Sequence, residues 1–201
     1  MIPFTFILQK EMAEMESIYQ SEETRRALEF AAKAHEGQVR KYTNEPYITH
    51  PMAVAEKLLE HGVKSEAMHI AALLHDTVED TDVTHEDILR EFGEHVHKLV
   101  IGLTKLDLPG VSRAKRKEIE ALRLGSPPTV DNDRVYFKDL DQIQTIKCLD
   151  LLHNMKSIVE HDPKFAKVFM REARVLWSVM TLAVDSVREE LDYTLWAYEG
   201  E

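Results

Sequence analysis

The sequence holds 201 residues, 44% hydrophobic and 30% charged, with 25 Lys and Arg against 36 Asp and Glu for a formal charge of −11. That acidity argues against general binding to nucleic acid or an anionic membrane, which needs a broad basic surface, and no apolar run reaches the ~18 residues of a membrane span. The single cysteine, Cys148, excludes an intrachain disulfide and fits a reducing compartment such as the cytoplasm, and the length fits one domain over residues 1–201.

The apolar start, Met1 to Leu8, follows no basic segment and precedes no small-residue cleavage site, so it is expected to join the fold. Ser21 is a candidate N-cap for a helix to His35, in which Ala27, Phe30, Ala31 and Ala34 recur at helical spacing. Arg40 to Thr49 is a polar loop that turns at Asn44, Glu45 and Pro46. Pro51 is expected at the first position of a helix that Gly62 ends. Ser65 is a candidate cap for the next helix, expected to run to about Asp80. Thr84 to Asp87 resembles a capping box with Asp in place of Glu, and Gly93 closes that short helix.

Glu94 to Leu103 is apolar-periodic, Asp107 to Gly110 is a turn, and Arg113 to Leu124 is a charged helix ending at Gly125. Ser126 to Asp133 is the strongest loop signal in the chain. A long helix is expected from about Asp139 to Glu160, and Asp162-Pro163 starts a final one towards Trp196. There is no β alternation beyond a few residues and no internal repeat. The prediction is an all-α bundle of roughly eight or nine helices.

The chemistry concentrates in His75-Asp76-Thr77-Val78-Glu79-Asp80. Residues three and four apart share a helix face, which gathers an imidazole and three carboxylates. Such a group is costly unless a cation or solvent compensates it. An isolated His-Asp pair is more often a solvated acidic patch beyond a core helix. Two other segments shift that balance. His50 stands before Pro51 in Pro46-Tyr47-Ile48-Thr49-His50-Pro51, and Asp150 and Asn154 share one face of an otherwise apolar helix. A buried aspartate needs a partner. Together His50, His75, Asp76 and Asp150 offer two nitrogen and two oxygen ligands, a set that suits Mn²⁺, Fe²⁺ or Zn²⁺.

The segments Gly37–Pro51 (GQVRKYTNEPYITHP), Ala71–Thr81 (AALLHDTVEDT) and Ile146–Met155 (IKCLDLLHNM) resemble the hydrolase domain of RelA/SpoT-type proteins, and above all the stand-alone small alarmone hydrolases of the HD-domain metal-dependent phosphohydrolases. The resemblance covers roughly residues 25–180. It implies an HD-domain helical bundle in which His50, His75, Asp76 and Asp150 hold one ion, usually manganese. It implies that Glu79 and Asp80 work on the attacking water, and that the 3′-pyrophosphate of (p)ppGpp is removed to give GDP or GTP. General-base help of that kind is worth ~10²–10⁴ in rate. The resemblance also places Arg40 and Lys41 beside the nucleotide and a basic helix, here Arg113, Lys115, Arg116 and Lys117, near its phosphates, although a solvated charged face is the plainer reading of any one of these. Asn154 offers an amide to substrate or to a ligand carboxylate, and His153 is a candidate support for a ligand.

Among the remaining candidates, His95 and His97 read as surface residues, His61 as a helix-end residue, His69 as lying on a helix flank, and Cys148 as packing. Trp177, Met180 and Trp196 read as core or interface, and His35 as a neighbour of the Arg-Lys loop. Three features depart from the family pattern: Asn44-Glu45 where glycine is usual, Leu151 where a basic residue is common, and a long link over residues 125–141. The length leaves no room for a synthetase half, so hydrolysis alone is expected. The alternatives are a hydrolase of another ribose-phosphorylated nucleotide (an adenosine alarmone or NADPH) and a non-catalytic nucleotide sensor. A sensor has no use for Glu79 and Asp80. The expected partner is a small nucleotide, with no nucleic acid or membrane, and self-association is left open.

Overall fold

The computed structural model describes residues 21–125 and 134–199. The expectations for Met1 to Leu8 and Ser126 to Asp133 lie outside the described residues. Among the described residues helix is the regular secondary structure, with turns and loops between helices and an isolated β-bridge between Val39 and Pro46. In chain order the helices are α1 (Glu22–Ala34), α2 (Thr49–Glu60), α3 (Glu66–Leu74), α4 (Thr77–Asp80), α5 (His85–Leu103), α6 (Arg113–Gly125), α7 (Arg134–His161), α8 (Pro163–Val179) and α9 (Asp185–Glu199).

Local chemistry accounts for most boundaries. The Ser21 hydroxyl accepts from the Thr24 backbone N–H and opens α1. Thr84 and Asp87 form both halves of a capping box at the start of α5, and Gly93, at φ 80°, kinks that helix where closure was expected. Asp162 caps α8 through the Phe165 N–H, with Pro163 in the first turn.

Four further boundaries differ from expectation. Helix α2 starts at Thr49, so Pro51 is its third residue; the first N–H groups of a helix lack intrahelical partners, and proline is tolerated there. The helix from Ser65 stops at Leu74 and restarts at Thr77. The Thr77 hydroxyl donates to the Leu74 carbonyl and the His75 ring to that of Ala72, which takes those carbonyls for side chains. Helix α7 starts at Arg134, within the stretch expected as a link. The final helix is two, α8 and α9. The Leu182 and Val184 N–H groups at the break donate to Gln144 and Thr145 of α7 at 2.6 and 3.0 Å.

Helices α3 and α7 are the hubs. Helix α3 packs on α1, α2 and α5, and α7 packs on α2, α5, α8 and α9. From Met68 to Leu74 every residue of α3 is buried. Gly102 of α5 lets α7 approach: a Cβ there would collide with the Ile143 side chain. Removing a buried leucine such as Leu73, Leu74 or Leu149 costs about 2–5 kcal/mol when cut to alanine. This packing fixes the C-terminal end of α3 against the middle of α7, where the polar cluster lies. Met180 is core as expected, but Trp196 is 65% exposed because α9 turns that face outward.

Candidate metal centre

Each chain segment brings its own side chain to one point. The first turn of α2 carries His50, the break after α3 carries His75 and Asp76, and the apolar middle of α7 carries Asp150. Nε2 of His50 is 3.1 Å from Oδ1 of Asp150 and 3.6 Å from Oδ2 of Asp76. Nε2 of His75 is 3.0 Å from Oδ2 of Asp76 and 3.8 Å from Oδ1 of Asp150. All four side chains are buried. Donor atoms of His50, His75 and Asp76 lie within 4.8 Å of one another.

The donor set suits a divalent ion. Nδ1 of His75 is 2.7 Å from the Ala72 carbonyl, which can only accept, so that nitrogen carries a proton. Nε2 then faces the cluster, buried and without a hydrogen-bond partner. A ligand histidine is held in this way, with one nitrogen anchored and the other aimed at the ion. Burial opposes charge on His75, but Asp76 and Asp150 outweigh it and lift its pKa to about 9. Burial likewise opposes charge on Asp76, yet His75 keeps it well below the usual carboxylate range. The centre of the cluster is thus a place where positive charge is favoured, while burial keeps the His50 imidazole neutral.

Three neighbours escaped the sequence reading. Lys147, one turn before Asp150, places its buried Nζ 2.8 Å from Oδ2 of Asp150 and 3.6 Å from Glu120. Burial works against its ammonium, but Asp150 and Glu120 raise its pKa. In turn, Lys147 offsets the burial of Asp150 and holds that carboxyl far below its usual range. The Tyr47 hydroxyl lies 2.7 Å from Oδ2 of Asp76 and 3.1 Å from Oδ2 of Asp80, and burial followed by Asp76 pushes its pKa up, so it stays a neutral donor. Lys105 holds Glu79 through its backbone N–H and through Nζ at 2.6 Å. The i, i+3 spacing of Lys147 to Asp150 and of Tyr47 to His50 was the available signal.

The other predicted residues divide. Asn154 donates to Oδ1 of Asp150 at 2.6 Å, and Arg40 donates to Asn154 at 2.7 Å with its guanidinium 5.7 Å over the Tyr47 ring. Lys41 turns away, to the Tyr42 hydroxyl and Asp162. Arg116 and Lys117 line a cavity of about 500 Å³ that also takes in Lys105, Arg123 and Lys147; Lys117 pairs there with Glu120. That cavity therefore shares Lys105 and Lys147 with the acidic cluster. Arg113 also lines that cavity and pairs with Glu172, while Lys115 pairs with Glu118. His35 stacks on Tyr47 at 4.6 Å and contacts Gln38. His61 caps α2, whereas His69 is buried, bonded to the Val63 carbonyl rather than lying on a flank. Cys148 is fully buried and burial pushes its thiol up to about 12, so it packs. Asn44 has φ 57°, the left-handed region that glycine enters freely and asparagine tolerates, which accounts for its place in the loop.

A family model described as HD domain matches residues 27–183. The chain is 39% identical over 181 residues to a guanosine-3′,5′-bis(diphosphate) 3′-pyrophosphohydrolase of Aquifex aeolicus, covering 89% of this chain and 24% of that protein. It is 36% identical over 170 residues to the bifunctional (p)ppGpp synthase/hydrolase SpoT of Escherichia coli, covering 84% and 23% respectively. The chain thus spans about a quarter of the length of these curated relatives. Among solved structures, a metazoan ortholog of SpoT described as hydrolysing ppGpp superposes with a TM-score of 0.76 at 25% identity, covering 90% of this chain and 98% of that one. No helix among the described residues is long and apolar enough to cross a membrane.

Proposed function

This chain belongs to the HD domain family, and we propose that it is a Mn²⁺-dependent hydrolase that removes the 3′-pyrophosphate of (p)ppGpp, giving GDP or GTP and pyrophosphate. The observation that carries this reading is the convergence of His50, His75, Asp76 and Asp150, with Nε2 of His75 buried among them without a hydrogen-bond partner. The similar proteins named above support the substrate class, and the metazoan structure supports hydrolysis by a chain of this extent.

His50, His75, Asp76 and Asp150 would hold one ion, which supplies a lowered water pKa and neutralises charge on a phosphoryl oxygen. Asp80 and Glu79 take up the proton of the attacking water or orient it. Tyr47 keeps Asp80 beside Asp76, and Lys105 keeps Glu79 extended. Arg40 offers a guanidinium plane to the purine and Asn154 its amide. Arg116 and Lys117, with Lys105 and Lys147 in the same cavity, offset the repulsion between an acidic chain and a polyanion. Lys41, turned to Tyr42 and Asp162, is left out of that set.

The unit we assign is a single HD-type domain over residues 1–201, its described helices sharing one core cluster. The buried, lone Cys148 supports a reducing compartment, the cytoplasm. The test is to incubate the purified chain with Mn²⁺ and ppGpp and separate the products by ion exchange. Pyrophosphate and GDP in equal amounts are expected. No pyrophosphate from ppGpp, but turnover of NADPH or an adenosine 3′-phosphate, would move the substrate and keep the metal chemistry. Tight ppGpp binding without turnover would make the chain a sensor.

A further inference from the structure

The two histidines of the cluster are anchored differently. Nδ1 of His75 donates to a backbone carbonyl at 2.7 Å, and that acceptor fixes the tautomer. Nδ1 of His50 meets no carbonyl; 2.7 Å away lies Nδ1 of His153, one turn beyond Asp150 on α7. The rings are tilted by 37° with centroids 4.8 Å apart. Two imidazole nitrogens at hydrogen-bond distance hold one proton between them, because two lone pairs or two N–H groups there repel.

We propose that His153 is a positioning residue for the metal centre: its Nδ1 accepts the Nδ1 proton of His50 and so leaves Nε2 of His50 bare towards the ion. The inference rests on the metal-centre reading above. His50 can donate a lone pair from Nε2 only if its single proton sits on Nδ1, and a proton on Nδ1 needs an acceptor. His153 is the group in reach, and it accepts by carrying its own proton on Nε2. The bond also fixes the plane of the His50 ring, which the first turn of α2 leaves free to rotate about its terminal torsion. Partners of this kind are worth roughly 10–100-fold in metal affinity.

Asparagine and leucine separate acceptance from packing. An asparagine at this position sets its Oδ1 where His153 now has Nδ1, and leucine fills similar space with no acceptor. Mn²⁺ alone is titrated calorimetrically into the full-length wild-type chain, His153→Asn and His153→Leu, each first shown by circular dichroism to be folded. The expected result is a Kd within about threefold of wild type for His153→Asn and at least tenfold weaker for His153→Leu. Equal weakening by both substitutions, or by neither, overturns the role of His153 while leaving the metal centre standing. A wild-type chain that takes up no Mn²⁺ overturns the metal centre itself, and this inference with it. If leucine unfolds the chain, His153→Gln and His153→Met give the same contrast.

Discussion

Oδ1 of Asp150 lies 3.1 Å from Nε2 of His50, a ring one hundred residues earlier in the chain. The same oxygen accepts from Asn154 at 2.6 Å, while Oδ2 takes the Lys147 ammonium. One carboxylate therefore divides its two oxygens, one towards the metal cluster and one towards a buried cation. That division lets an aspartate stay ionised among Leu149, Leu151 and Met155. It also fixes which face of α7 meets α2.

Glu79 stands beside the His50, His75, Asp76 and Asp150 cluster rather than within it, held by Lys105. Glu79→Ala is expected to keep the bound ion and lose about 10²–10⁴ in kcat. Steady-state kinetics with elemental analysis on the same sample checks both halves. Loss of the ion together with activity would make Glu79 a ligand.

Lys147 is buried against Asp150 and Glu120. Taking one partner from a buried ion pair strands the other, so Lys147→Met should cost about 3–5 kcal/mol in urea unfolding. The exposed Lys115, paired with Glu118, is the control, and Lys115→Met should cost about 1 kcal/mol or less. Equal losses would show that Lys147 carries no such charge balance.

How legible was this in the sequence? The residues of the polar cluster were, because a polar residue inside an apolar helical run has to be compensated, and Asp150 and His75 each stand in one. The capping residues Ser21, Thr84 and Asp162 were legible for the same local reason. The break at Met180 to Val184 was not, since Gln144 and Thr145, which take up its N–H groups, lie 38 and 39 residues away. The stop after Leu74 was hidden because a histidine and a threonine compete for the helix carbonyls only when their side chains turn inward. Lys147 and Lys105 were not singled out in the sequence, and only the fold shows which carboxylates they face.

Cys148 gives an independent check on α7. Its thiol is fully buried and pushed up to about 12, so the thiolate that reacts is scarce and inaccessible. A disulfide reagent at pH 8 should leave the folded chain unlabelled and label one thiol per chain in guanidinium. Rapid labelling of the folded chain would mean that α7 is not packed as described.

The most direct measurement is the number of Mn²⁺ ions per chain, by elemental analysis after dialysis, in wild type and in Asp150→Ala. One ion in the wild type and none in the variant is the predicted result. A wild type without manganese, or a variant that keeps its ion, would contradict the four-residue centre.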